Sequence, residues 1–195
     1  MEEKLTLDAL LERIKSDDPD VRTAAWQAAG DVGAPAIVPL SKIVADGELE
    51  VGRAAKRAMW QIVRTVGAPG RDECREAAEK VLVDLLEPDQ PLCVRREAFW
   101  MLSEIGGDAT VEAIRDISGV VDDKDIREDA RCALERIPTD FAVETLQDGL
   151  DMAPADFALA IAQSLRARGI KVDTGRYPCK KLVPTRETSV KPVPK

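Results

Sequence analysis

Apolar residues return along this chain at positions 1, 5, 8, 9 and 12 of a short segment that occurs five times. The segment reads "VRTAAWQAAGDVG" from Val21, "VGRAAKRAMWQIV" from Val51, "VRREAFWMLSEIG" from Val94 and "IREDARCALERIP" from Ile126. A weaker fifth copy, "FALAIAQSLRARG", starts at Phe157, and the successive offsets are 30, 43, 32 and 31 residues. The fifth position holds Ala25, Ala55, Ala98, Ala130 and Ile161, and the ninth Ala29, Met59, Leu102, Leu134 and Leu165. The twelfth holds Val32, Ile62, Ile105 and Ile137, with Arg168 breaking the pattern. At about 100° per residue these positions share one face, so each copy predicts an amphipathic helix with small residues along its buried stripe.

Second amphipathic runs fall between the copies, at 34–44, 73–86, 109–121 and 140–150, and a similar run at 5–15 precedes the first. The pattern predicts helical hairpins with a period near 31. One such hairpin cannot bury its own apolar face, so the hairpins must stack. Punctuation agrees with this reading. Asp17, Asp18 and Pro19 supply capping oxygens and a first-turn proline, and 87–91 ("EPDQP") repeats the device before the third copy. Asp122, Asp123 and Asp125 set negative charge at the start of the fourth, while Gly33, Gly67 and Gly106 stand where a chain leaves a helix. The long offset of 43 predicts that helix 73–86 and its flanks protrude or lengthen that repeat.

The pattern D-x-D-P-x-V-R-x-x-A-x-x-A-L-x-x-I-G, which these copies follow, resembles HEAT repeats, in particular the short bacterial and archaeal kind first noted in phycobilisome lyases. The resemblance covers residues 4–168. It implies an all-α fold, a right-handed α-solenoid of about five HEAT-like hairpins over residues 1–169, followed by a separate tail at 170–195. In such solenoids the second helix of each pair lines the concave face. Lys42, Arg75, Glu79, Glu112, Asp116, Glu144 and Asp148 are therefore the expected partner-contacting residues, a mainly acidic set that fits a basic or polar protein or peptide.

Composition narrows the chemistry. The 195 residues include no histidine, which removes Ser-His-Asp, Cys-His and His-ligated metal mechanisms within this chain. Neither a phosphate-binding G-x-x-x-x-G-K-[ST] loop nor a G-x-G-x-x-G turn occurs, nor a calcium loop, and the paired aspartates are explained as caps. We therefore expect no catalytic residue, no metal and no cofactor. The four cysteines are spaced 19, 39 and 47 residues apart, and the opening segment is charged and amphipathic, without the apolar core of an export signal. Reduced thiols, a cytoplasmic location and no membrane span are expected.

Other residues carry two readings. Arg22, Arg95 and Arg127 share the second repeat position, with Arg53 displaced by one. They could form a basic ladder for an anion. The reading taken is structural: each pairs with a carboxylate of an adjacent turn, such as Asp31 or Asp108. Trp26, Trp60 and Trp100 could stack on bases, but they occupy repeat positions 6, 10 and 7 and so are assigned to seams between helices.

The chain carries a formal charge of −8, while residues 170–195 hold seven Lys/Arg against two Asp/Glu, which leaves −13 on residues 1–169. A basic tail beside an acidic body is expected to lie against it, with Ile170, Val172, Tyr177, Leu182 and Val183 covering the open end. The same charge opposes phosphate binding by the body, so no nucleic acid is expected. The function expected is a non-catalytic protein-binding scaffold. The alternatives are an accessory subunit of a bilin-lyase-type enzyme or a HEAT-like nucleic-acid-binding protein.

Overall fold

The computed structural model describes residues 5–116 and 123–179, the side chain of Asp116 excepted, and among these residues it holds ten α-helices and no strand. In chain order they are α1 (Leu7–Ile14), α2 (Pro19–Ala28), α3 (Ile37–Asp46), α4 (Leu49–Val66), α5 (Asp72–Asp84), α6 (Leu92–Ile105), α7 (Asp108–Asp116), α8 (Arg127–Arg136), α9 (Asp140–Met152) and α10 (Ala155–Ala167). The five copies of the repeated segment are α2, α4, α6, α8 and α10, and the five intervening runs are the odd-numbered helices.

Local signals fix the starts of several helices. Thr6 accepts from the Ala9 amide at 3.3 Å, Asp18 from Asp20 at 2.8 Å and Thr139 from Ala142 at 3.2 Å, and Pro19 fills the first turn of α2. Each satisfies a donor that the helix itself cannot. The end of α2 tightens into a 3-10 turn (Ala29–Asp31) before Gly33 turns the chain with φ +74°. Gly30 is required for a different reason. A Cβ there would lie 2.2 Å from Thr65 Oγ1, so only glycine lets this turn cross α4.

Even-numbered helices pack in succession, α2 on α4, α4 on α6, α6 on α8 and α8 on α10. Odd-numbered helices do likewise from α3 through α5 and α7 to α9. The result is a two-layer α-solenoid with one continuous core between the layers. The fifth and ninth repeat positions are buried in all five copies, and Ala25, Ala55, Ala98 and Ala130 let neighbouring helices approach closely.

Four expectations are revised. Val21, assigned to the apolar face, is 36% exposed, because only the eight-residue α1 covers the first copy. Helix α5 does not protrude; it packs on α3, α4, α6 and α7, and the extra length of the long repeat lies in the 18-residue α4 and in the connections flanking α5. Arg168, which breaks the fifth copy, is a cap. Its guanidinium donates to the carbonyls of Leu134 and Glu135 (3.3 Å each), of Thr139 (3.0 Å) and of Ile137, closing the end of α8.

The arginine ladder makes structural contacts, but to other partners than Asp31 and Asp108. Arg22 donates to the carbonyls of Ser16 (2.7 Å) and Asp17 (2.9 Å), and Arg95 to that of Leu86 (3.0 Å) while lying 3.7 Å from Asp123. Arg127 pairs with Asp156 at 2.7 Å, and Arg53 only with Glu50 one turn away. The second repeat position lies in the first turn of its helix. Asp31 and Asp108 follow the far ends of α2 and α6, about 15–20 Å along the axis, beyond an arginine's reach.

Past α10, Ile170 and Val172 pack on the core and Arg166 donates to the Tyr177 carbonyl. Leu182, Val183 and the basic stretch from Lys180 lie outside the described residues, as do Asp122 and the end of the predicted run 109–121.

Candidate protein-binding surface

The outer face of the odd-numbered layer carries most of the expected contact residues. Lys42 on α3, Glu112 on α7, and Glu144 and Asp148 on α9 are exposed. Asp148 lies 3.8 Å from Arg115, an exposed pair that links α7 to α9. Arg75 on α5 is half-buried and leans 3.5 Å from Asp72. Such exposed pairs contribute little to stability, so their charges remain free to meet a partner.

Between α1, α3 and α4 the layer opens into a groove of about 630 Å³. Leu11, Pro39, Ile43 and Val51 form its apolar floor, and Lys15, Lys42, Asp17, Asp46 and Glu48 stand around its mouth. An apolar floor under a few charged groups suits an aliphatic side chain with a polar end. Among the described residues no three Cys, Asp or Glu side chains converge as metal ligands, and no helix is long and apolar enough to cross a membrane.

Of the other two expected contact residues, one is not described and one does not belong to this face. The side chain of Asp116 lies outside the described residues. Glu79 is buried, 8% exposed. Its Oε1 accepts from the Gly107 amide (2.7 Å), the Thr110 amide (3.2 Å) and the Thr110 hydroxyl (2.6 Å). Gly106 and Gly107 precede α7, so that helix has no capping side chain of its own, and a carboxylate from α5 supplies the cap across the repeat. The missing local cap was the available signal in the sequence.

The even-numbered layer holds a second set of contacts that the repeat alignment concealed. A basic residue precedes each tryptophan by four: Arg22 and Trp26, Lys56 and Trp60, Arg96 and Trp100. This spacing puts both on one helix face. Glu97 of α6 accepts from Lys56 and from the Trp60 indole at 3.2 Å. Asp129 of α8, 6% exposed, accepts from Arg96 and the Trp100 indole at 2.8 Å each. Asp129 also holds the Arg96 proton more tightly than usual. Trp60 and Trp100 are thus seam residues, hydrogen-bonded to the next repeat, although Trp100 stays 37% exposed.

The first rung differs. Arg57 lies over the Trp26 ring, 6.0 Å from its centre, and the buried Trp26 Nε1 has no acceptor among the described residues. A carboxylate at position 57 would repeat the other two rungs. Arg57→Glu is therefore expected to raise the melting temperature by about 2–4 °C, the effect of about 1 kcal/mol from a newly satisfied donor. A lower melting temperature in a thermal scan would show that the cation over the ring contributes more than the missing hydrogen bond.

All four cysteines are free, and Cys74, Cys93 and Cys179 are exposed. Burial pushes the Cys132 thiol up, partly offset by Arg131, so it stays protonated at neutral pH. Asp156 is held below the usual carboxylate range by its hydrogen bond from Arg127. The Arg127–Asp156 link therefore contributes above the ordinary carboxylate pKa and is lost as pH falls through the lowered one.

No protein-family model matches the chain, and no curated protein matches it. Among solved structures it is similar to a designed armadillo repeat protein in complex with the peptide (KR)4, at 19% identity over 83% of this chain and 79% of that one, with a TM-score of 0.47. A second designed armadillo repeat protein shares 20% identity over 83% and 81% of the two chains, with a TM-score of 0.44. An engineered protein shares 25% identity over 83% and 78%, with a TM-score of 0.42.

Proposed function

We propose that this protein is a non-catalytic scaffold of the HEAT type, working in the cytoplasm, whose odd-numbered face binds a basic or polar protein or peptide. The observation that carries this reading is the exposure of Glu112, Glu144 and Asp148 on the adjacent helices α7 and α9 of one packed layer, with the groove beside Lys42 at its other end. Charges held at fixed spacing on packed helices give orientation and specificity to an incoming chain without any chemistry. The division into a solenoid over 1–169 and a basic tail over 170–195 belongs to the same proposal.

Affinity capture with the full chain, beside Glu112→Lys/Glu144→Lys/Asp148→Lys, tests it by mass spectrometry. A protein retained by the parent and lost from the variant is the expected result. Equal retention by both, or recovery of nucleic acid alone, would overturn the reading.

A further inference from the structure

The ends of the odd-numbered helices turn into the starts of the even-numbered ones along a single rim, and this rim collects the apolar residues the fold leaves uncovered. Six large apolar side chains are exposed among the described residues, and four of them lie here. They are Val21 at the start of α2 (36%), Leu49 at the start of α4 (68%), Leu92 at the start of α6 (43%) and Met152 at the α9–α10 corner (73%). None is needed for the core. One exposed apolar residue is unremarkable, and the short α1 accounts for Val21, but Leu49 and Leu92 on the neighbouring helices α4 and α6, with Met152 two helices farther along the same rim, form a group that folding does not explain.

The rim is also acidic. Glu48 flanks Leu49, Glu87 and Asp89 precede Leu92, and Asp151 adjoins Met152. All four carboxylates are exposed, and none joins an ion pair among the described residues. The nearby arginines are engaged elsewhere: Arg53 on Glu50, Arg127 on Asp156, Arg22 and Arg95 on main-chain carbonyls. Helix ends of both polarities meet on this rim, so their macrodipoles oppose one another and the side chains set its sign.

Spacing narrows the partner further. Packed helices stand about 8–10 Å apart. A polyproline-type strand advances about 3.1 Å per residue with three residues per turn, so every third side chain returns to the same side after about 9 Å. We propose that the rim binds an extended basic segment of another protein, with apolar residues three positions apart seated beside Leu49 and Leu92, a third apolar residue six positions farther on beside Met152, and lysines or arginines between them facing the carboxylates. This surface adjoins the odd-numbered face at Glu48, which also stands at the mouth of the groove, but its apolar residues Leu49, Leu92 and Met152 lie outside that groove, and its occupant is defined by charge complementarity and by the helix spacing.

Fluorescence anisotropy on the full chain tests the proposal with a labelled peptide of four Lys-Pro-Leu triplets, at about 50 mM salt where surface charges are weakly screened. The parent protein is expected to bind it and to bind a Lys-Pro-Ser control at least about tenfold more weakly. Leu49→Ser/Leu92→Ser/Met152→Ser is expected to lose the same factor. Met152→Ser alone, at the most exposed site, shows part of the loss if the triple variant folds poorly by circular dichroism. Glu112→Gln/Glu144→Gln, which removes charge from the odd-numbered face without reversing it, is expected to weaken binding by less than the rim variants do, which separates the two surfaces. Equal affinity for the two peptides, indifference to the rim variants, or loss of binding only with the odd-face variants would overturn it. So would rim amides of the peptide-free protein that exchange faster on Val190→Ser/Val193→Ser, since the occupant would then be the chain's own tail.

Discussion

Replacing Ala130 by glutamate is expected to abolish the cooperative melt or to lower its midpoint by at least about 10–20 °C. Ala130 is 1% exposed at the fifth repeat position of α8, packed where α6 and α8 meet. A glutamate there buries a carboxylate without a partner and inserts a further methylene and the carboxylate itself into a seam sized for a methyl group. Substitutions of this kind cost more than about 4 kcal/mol. A whole domain is stable by only about 5–15 kcal/mol. The neighbouring Asp129 adds like-charge repulsion, and its grip on Arg96 and Trp100 would be disturbed as well. The control is Ala24→Glu, one residue from a buried alanine but on the exposed face of α2, which is expected to stay within about 0.5 kcal/mol of the parent. Thermal scans by circular dichroism compare the two. Similar melting temperatures for both variants would show that the repeat face has been assigned to the wrong side of its helices.

That contrast also explains which features were legible in the sequence. Helices announce themselves through short-range periodicity: Ala25, Ala55, Ala98 and Ala130 recur at one phase because each meets the same neighbour in the stack. Asp18 and Pro19 mark a start because a cap acts within three residues. Contacts that cross from one repeat to the next leave a fainter trace. Lys56 and Trp60 reach Glu97, and Arg96 and Trp100 reach Asp129, across sequence gaps of about 30–40 residues. Aligning the copies on their first apolar residue hid the correspondence, since the longer α4 shifts its tryptophan by three positions. Arg168 looked like a failed repeat because its role is to close a different helix.

Surface function is less legible for another reason. Folding constrains the buried stripe strongly and the exposed charges hardly at all, so Glu112 or Glu144 could be exchanged for many residues without changing the fold. The rim residues Leu49, Leu92 and Met152 violate the expected pattern in a readable way: they are apolar where folding asks for nothing. Such departures are where a sequence that otherwise follows its fold is expected to carry function.

Glu79 supplies the sharpest test of the distinction between a surface carboxylate and a structural one. Were it a contact residue, Glu79→Ala would leave the melting temperature in place and weaken only partner binding. Buried against α7, it instead accepts three hydrogen bonds at the start of that helix. Alanine would leave the Gly107 and Thr110 amides and the fully buried Thr110 hydroxyl without their acceptor, since neither glycine before α7 offers a side chain. Stranding buried donors costs about 1–3 kcal/mol for each group left unsatisfied, and the lost carboxylate also faced the positive end of the helix. A loss of about 3–4 kcal/mol in all is expected, with faster hydrogen exchange concentrated at Gly107 and Thr110. Glu79→Gln keeps one acceptor oxygen and the same shape, so it is expected to recover more than half of that loss. Equal losses for the two substitutions would assign Glu79 a packing role, and no loss for either would return it to the exposed face of α5.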